Sequence, residues 1–115
     1  MGSEMCIRDS CDTTVSSSLT SQLECTDDDN LNVTINGSVI KTGADTIHAK
    51  NHSDVTIDNK GTISASTNQA INMQHAVNTT VTNSGTIEAT LRNAILMDGD
   101  NADNNTINNL SLIHI

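Results

Sequence analysis

Apolar residues appear along the chain in short bursts at every second position, and the bursts themselves recur. Val55 and Ile57, Ile63 and Ala65, and Ile71 and Met73 each alternate with polar neighbours, which is the period of a strand with one buried face. β-Branched residues dominate the apolar set, as a pleated half-buried surface favours. Laying VTINGSVIK at Val33 over IDNKGTISA at Ile57 and VTNSGTIEA at Val81 gives a repeat of 24 residues. In that frame Gly37, Gly61 and Gly85 share a column, as do Val39, Ile63 and Ile87, then Ile47, Ile71 and Ile95, then Ala49, Met73 and Met97. The frame extends backward, with Thr14 and Val15 over Ser38 and Val39, and Leu23 over Ile47. After the third unit Ile107 answers Val81 at a distance of 26, which places a two-residue insertion in the stretch DGDNADN that starts at Asp98.

Short strands repeated at a fixed interval predict a solenoid, because each unit buries its apolar face only by stacking on its neighbours. The fold class expected is all-β, a parallel β-helix of about 24 residues and three short strands per coil, taken from a longer stack. Parallel pairing sets about 4.8 Å per coil, so four coils stand roughly 20 Å tall. The predicted coils are 31–54, 55–78 and 79–104, another starts at 105, and 11–30 forms a partial N-terminal coil or cap. The corner after the first strand reads Asn59-Lys60-Gly61 and Asn83-Ser84-Gly85. Glycine in that column admits a positive φ if every coil turns with the same backbone. Asn59, Asn83 and Asn109 are spaced to stack as an amide ladder of the cross-β kind, with Ile35 in that place in the first unit. All six residues, Gly37, Gly61, Gly85, Asn59, Asn83 and Asn109, are read as structural.

Composition agrees with a narrow shaft. The chain has no Phe, Tyr, Trp or Pro; a layered globular domain would want aromatic bulk in its core, and proline cannot donate to a strand ladder. Polarity on this scale also suits disorder, but disorder gives no reason for periodic Val and Ile. Fourteen acidic residues against five basic give a net charge of −9, which repels phosphate and excludes nucleic acid as an expected partner. No apolar run is long enough to span a bilayer as a helix.

Both ends read as foreign to the repeat. The first ten residues, MGSEMCIRDS, resemble a translation of the adapter used in transposase-based sequencing libraries, and the last six, LSLIHI, correspond to the reverse complement of its tail. Residues 1–10 and 110–115 are therefore expected to be adapter-derived, so that the native reading frame continues past both. Cut coils leave open strand edges, which invite edge-to-edge self-association.

NHSDVTIDNKGTISA, NTTVTNSGTIEA and the Ala-Ile pairs that follow resemble the passenger domain of bacterial autotransporters, in the class with Asn-x-Gly-Thr-Ile repeats. The resemblance covers about residues 11–109. It implies secretion, passage through an outer membrane by the protein's own C-terminal β-barrel, and display at the bacterial cell surface as a stalk or adhesin toward a host or cell-surface ligand. No such barrel is recognisable in this sequence. No enzyme and no cofactor are expected.

The remaining candidate chemistry is sparse. Cys11 and Cys25 fall at opposite edges of the first partial coil, above Ile35 and Ala49, where they form either a disulfide in an oxidising compartment or two buried thiols. His52 is placed beneath Asp28, and His75 in the next column with Asp27 and Asn51; solvated turn residues explain both better than a metal site. DGDNADN departs from a calcium loop at Ala102. The rival reading is a non-catalytic piece of a β-helix polysaccharide lyase or glycosidase. A retaining glycosidase needs two carboxyl groups about 5–5.5 Å apart, and in the 24-residue frame no column holds such a pair: Asp58 is flanked by Thr34 and Thr82, and Glu88 by Ser64. Threonine columns of the ice-binding kind are interrupted, and the sequons at Asn32, Asn78 and Asn104 follow from composition.

Overall fold

The computed structural model describes residues 9–97, 104–110 and 112–114. They form an all-β parallel solenoid of about four turns, with about 24 residues and three strands per turn. In chain order the strands are β1 (Asp9–Ser10), β2 (Thr13–Val15), β3 (Ser18–Leu19), β4 (Leu23–Glu24), β5 (Asn30–Val33), β6 (Ser38–Lys41), β7 (Ile47–His48), β8 (Thr56–Asn59), β9 (Thr62–Ala65), β10 (Ile71–Asn72), β11 (Thr80–Asn83), β12 (Thr86–Ala89), β13 (Ile95–Leu96), β14 (Thr106–Asn109) and β15 (Leu112–His114). Among the described residues no helix is long and apolar enough to cross a membrane.

Three five-stranded sheets form the walls. The first runs β1-β4-β7-β10-β13, the second β2-β5-β8-β11-β14 and the third β3-β6-β9-β12-β15. The strands pair in parallel throughout, and each third strand in the chain returns to the same wall one level on. β15 lies within the tail expected to be adapter-derived, and it closes the third sheet with Leu112 opposite Thr86.

The inner columns make the core. Leu31, Ile57 and Val81 stack in the second sheet, Val39, Ile63 and Ile87 in the third, and Leu23, Ile47 and Ile71 in the first, all essentially without solvent contact. Each such side chain contributes roughly 1.5–3 kcal/mol by leaving water. Outward positions carry Thr, Ser, Asn and Asp, so the walls stay wet.

The interval is 24 from β4 to β13 on the first wall and from β6 to β12 on the third, and uneven over the same levels of the second. Ser38 faces Thr62 and Thr86 at 24-residue steps, as do Ile47, Ile71 and Ile95. In the second sheet, however, Leu31 faces Ile57 and Val33 faces Asn59, a step of 26, before the step returns to 24 at Val81 and becomes 26 again at Ile107. This corrects the alignment of Val33 with Ile57. The corner after β5 holds Thr34, Ile35 and Asn36 where later corners hold only Lys60 or Ser84, and the two extra residues displace β5 backward. A slip of two leaves every side chain on its own face, so apolar alternation could not reveal it. Consequently Val33, not Ile35, heads the asparagine column, and Ile35 is 78% exposed at the corner. The second extra pair, expected between Asp98 and Asn104, falls mostly outside the described residues.

The first turn is short. Thr13 faces Leu31, Ser18 faces Ser38 and Leu23 faces Ile47, at steps of 18, 20 and 24. Val15 therefore lies over Val33 and not over Val39, which overturns one part of the back-extended frame, while Leu23 over Ile47 stands.

Candidate functional site

The glycine column is held by contact and not by φ. Among the described glycines only Gly43 has a positive φ, at 88°. A Cβ on Gly61 would instead collide with the carbonyl oxygen of Gly37, one on Gly85 with that of Gly61, and one on Gly37 with that of Val15. Successive coils approach so closely here that Thr62 N–H donates to Gly37 O at 3.2 Å and Thr86 N–H to Gly61 O at 2.8 Å. The left-handed corner belongs to other residues: Asp28, Asp54, Asn78 and Asn104 have φ of 69°, 62°, 55° and 56°. They occupy equivalent places two residues before Asn30, Thr56, Thr80 and Thr106, which face one another in the second sheet. Asp and Asn tolerate this conformation better than other side chains with a Cβ. The sequence signal was present as an Asp or Asn two residues ahead of β5, β8, β11 and β14.

The asparagines form a ladder, buried at Asn59 and Asn83 and exposed at Asn109. Asn59 Nδ2 donates to Asn83 Oδ1 at 2.9 Å, and Asn83 Nδ2 to Asn109 Oδ1 at 3.0 Å. Each of Asn59 and Asn83 also accepts, through Oδ1, the N–H of the glycine two residues on, at 3.2 Å. The glycine donor fixes which amide atom is oxygen, and that in turn points Nδ2 at the next coil. Among the described residues every buried side-chain N or O atom has a partner. The whole polar capacity of the column is spent on the corner.

Cys11 and Cys25 are joined by a disulfide, and both are fully buried. The placement of Cys11 differs from the sequence frame, which set it above Ile35, while Cys25 keeps the 24-residue step toward Ala49. Asp9 and Ser10 face Leu23 and Glu24, so Cys11 follows β1 directly onto Cys25, with a Cα–Cα distance of 4.8 Å. The bridge thus spans two levels of one wall and closes the entire first turn, 14 residues apart in sequence, into a covalent ring.

Two histidines pair with acids on the preceding level, on either side of Cys25. His48 Nδ1 lies 2.9 Å from Glu24 Oε2, and His52 Nδ1 lies 3.1 Å from Asp27 Oδ1. His52 therefore sits under Asp27 and not under Asp28. Asp27 is held below the ordinary carboxyl value, first by the Ser53 N–H at 2.9 Å and next by His52. Among the described residues no three His, Cys, Asp or Glu gather as a metal-holding group.

The uneven step also changes the carboxylate columns. Asp58 stands between Asn32 and Thr82, with Lys60 Nζ at 2.6 Å. Asp28 and Asp54 share one column on successive levels, a pairing that the 24-residue frame had excluded. Both stand exposed on the corner. Two cavities open elsewhere. One, of about 440 Å³, lies at the N-terminal end of the stack, lined by residues that include Val15, Leu19 and Leu23. The other, of about 340 Å³, lies on the outside of the first sheet against Glu24 and His48 and beneath the loop at Gly43–Asp45.

Comparison with protein-family models, with curated proteins and with solved structures gives no match. Function must therefore be argued from the solenoid and its side chains.

Proposed function

We propose that the chain is a segment of a secreted, surface-displayed passenger of the autotransporter type, serving as a stalk or adhesin and not as a catalyst. The observation that carries this reading is the coil itself. A strand, an Asn-x-Gly corner and a Thr-Ile strand repeat on successive levels, with Asn and Gly consumed in the corner and hydroxyls turned outward. Such a unit propagates without limit and keeps its walls hydrated, which suits a rod that holds something away from a surface. The buried Cys11–Cys25 bridge supports an oxidising compartment, such as the periplasm or the cell exterior.

In this reading the partners are the protein's own C-terminal β-barrel and a host or cell-surface ligand. Exposed strand edges at the ends of the stack favour association with further coils. The alternative, a non-catalytic piece of a β-helix polysaccharide lyase or glycosidase, gains some support from the Asp28 and Asp54 column. The reading frame in the source DNA separates the two. A run of strands of about ten residues, alternating in polarity, beyond the last coil supports the passenger. Later coils that cluster Asp, Arg and aromatic residues on one wall would favour the enzyme.

A further inference from the structure

We propose that the first turn of the solenoid is a cap latched by the Cys11–Cys25 bridge, so that reducing the bridge releases the turn while the later coils stay stacked. Two features of the turn point to a latch: how little holds it apart from the bridge, and what it covers.

Between the two cysteines the turn is thin. Among residues 12–20, Val15 is buried and Leu19 half-buried, and the rest are exposed. Even Thr13, which stands opposite the buried Leu31, faces water. The next level instead sends Leu31, Val33, Val39, Ile47 and Ala49 inward, each at most 1% exposed. Strand lengths agree, since β1, β2 and β3 have two, three and two residues where β5, β6, β8 and β9 have four each. The turn also borders unfilled space: Ser10, residues 12–19 and Leu23 line the cavity of about 440 Å³. Ordering a loop costs backbone and side-chain freedom at every residue, and two aliphatic side chains offset little of that. A covalent ring removes much of the cost in advance by forbidding the open conformations of the free loop.

What the turn covers is the end of the core. Val15 O accepts the Thr34 N–H at 2.9 Å and Ser17 O accepts the Ser38 N–H at 3.2 Å, and the exposed Asp12 carboxylate accepts the Asn30 N–H at 3.0 Å. Val15 stands over Val33 and Leu19 over Val39. Release of the turn frees these donors and uncovers the apolar inner positions of β5 and β6. An uncovered strand edge is a template for further pairing, so the redox state of two sulfurs sets whether the stack ends closed or open. The step is a two-electron reduction: the Sγ–Sγ bond takes up two electrons and two protons to give two thiols, and a dithiol supplies them by closing to its own disulfide. The inference rests on the first turn alone, and it holds or fails whether or not the chain is displayed on a cell.

The test is backbone N–H exchange, followed by NMR, in the whole chain carrying Cys6→Ser, which leaves Cys11 and Cys25 as its two cysteines. The chain is measured oxidised and in excess dithiothreitol, with thiol titration to establish each state. Thr34 and Ser38 report the cap. Thr80 and Thr86, whose N–H groups donate to Val55 O at 2.9 Å and Gly61 O at 2.8 Å, report the coils beyond it. All four are expected to be protected in the oxidised chain. Reduction should speed exchange at Thr34 and Ser38 by roughly a hundredfold while Thr80 and Thr86 stay protected, and Cys11→Ser should give the same pattern without reductant. If that variant does not fold, the two redox forms of the one chain decide the matter. Protection kept at Thr34 and Ser38 in the reduced chain would overturn the proposal, because the turn would then stand without its bridge. Protection lost at all four together would overturn it too, because turn and coils would then open as one body.

Discussion

At the scale of single residues, the corners are the least forgiving part of this molecule. Gly61 has the Gly37 carbonyl where a Cβ would stand, and that carbonyl is backbone, so it yields only by separating two coils. Gly61→Ala is therefore expected to cost at least about 3 kcal/mol, read from urea or thermal unfolding. Asn83 bonds a ladder partner on both sides, whereas Asn59 has Val33 on one side and Asn83 on the other. Asn59→Val and Asn83→Val should each cost about 2–4 kcal/mol, since either change removes a ladder bond and the acceptor of a corner glycine N–H. Losses below about 1 kcal/mol at both positions would mean that the ladder bonds do not matter. Asp27 provides a pH signature. Its folded value is depressed by Ser53 N–H and His52, so its contribution is present above the ordinary carboxyl value and disappears as pH falls through the folded one. The stability difference between the native chain and Asp27→Asn should thus be visible at neutral pH and close in strong acid. A difference that widens in acid would contradict that assignment.

At the scale of strands and turns, what the sequence revealed depended on whether polarity alone could report it. The three walls, the 24-residue steps of the first and third sheets and the six corner residues are legible because apolar period two and the Gly column fix them independently. The 26-residue step at β5 is not legible, since a two-residue slip keeps Leu31 and Val33 facing inward and only exchanges their partners. The same slip hid the joint column of Asp28 and Asp54. The shortened first turn escaped for a related reason: Cys11 onto Cys25 is a step of 14 that no later coil repeats. The Glu24–His48 pair lies at the 24-residue step and was open to the sequence frame, whereas Asp27–His52, 25 residues apart, needed the true register. The ring closed by the disulfide has a measurable consequence. Removing the constraint on a loop of this length should lower stability by about 3 kcal/mol, so melts with and without reductant should differ clearly. Identical melts for demonstrably oxidised and reduced chains would show that the first turn adds nothing to the stack.

At the scale of the whole molecule, the fold is a column in which nearly every stabilising contact joins levels and not neighbours in sequence. The apolar columns, the amide ladder, the disulfide and both acid–histidine pairs run along the same axis, so cooperativity depends on one register being shared by all three walls. Function is argued from the same geometry: a repeating shaft with hydrated walls supports the proposal of a stalk. The most direct measurement of that register is a set of NMR contacts between backbone protons of adjacent levels in the second sheet. Contacts of Leu31 with Ile57, Val33 with Asn59 and Ile57 with Val81 are expected. Contacts of Val33 with Ile57 in their place, or none between these levels, would contradict the stacking from which the ladder, the cavity and the corners all derive.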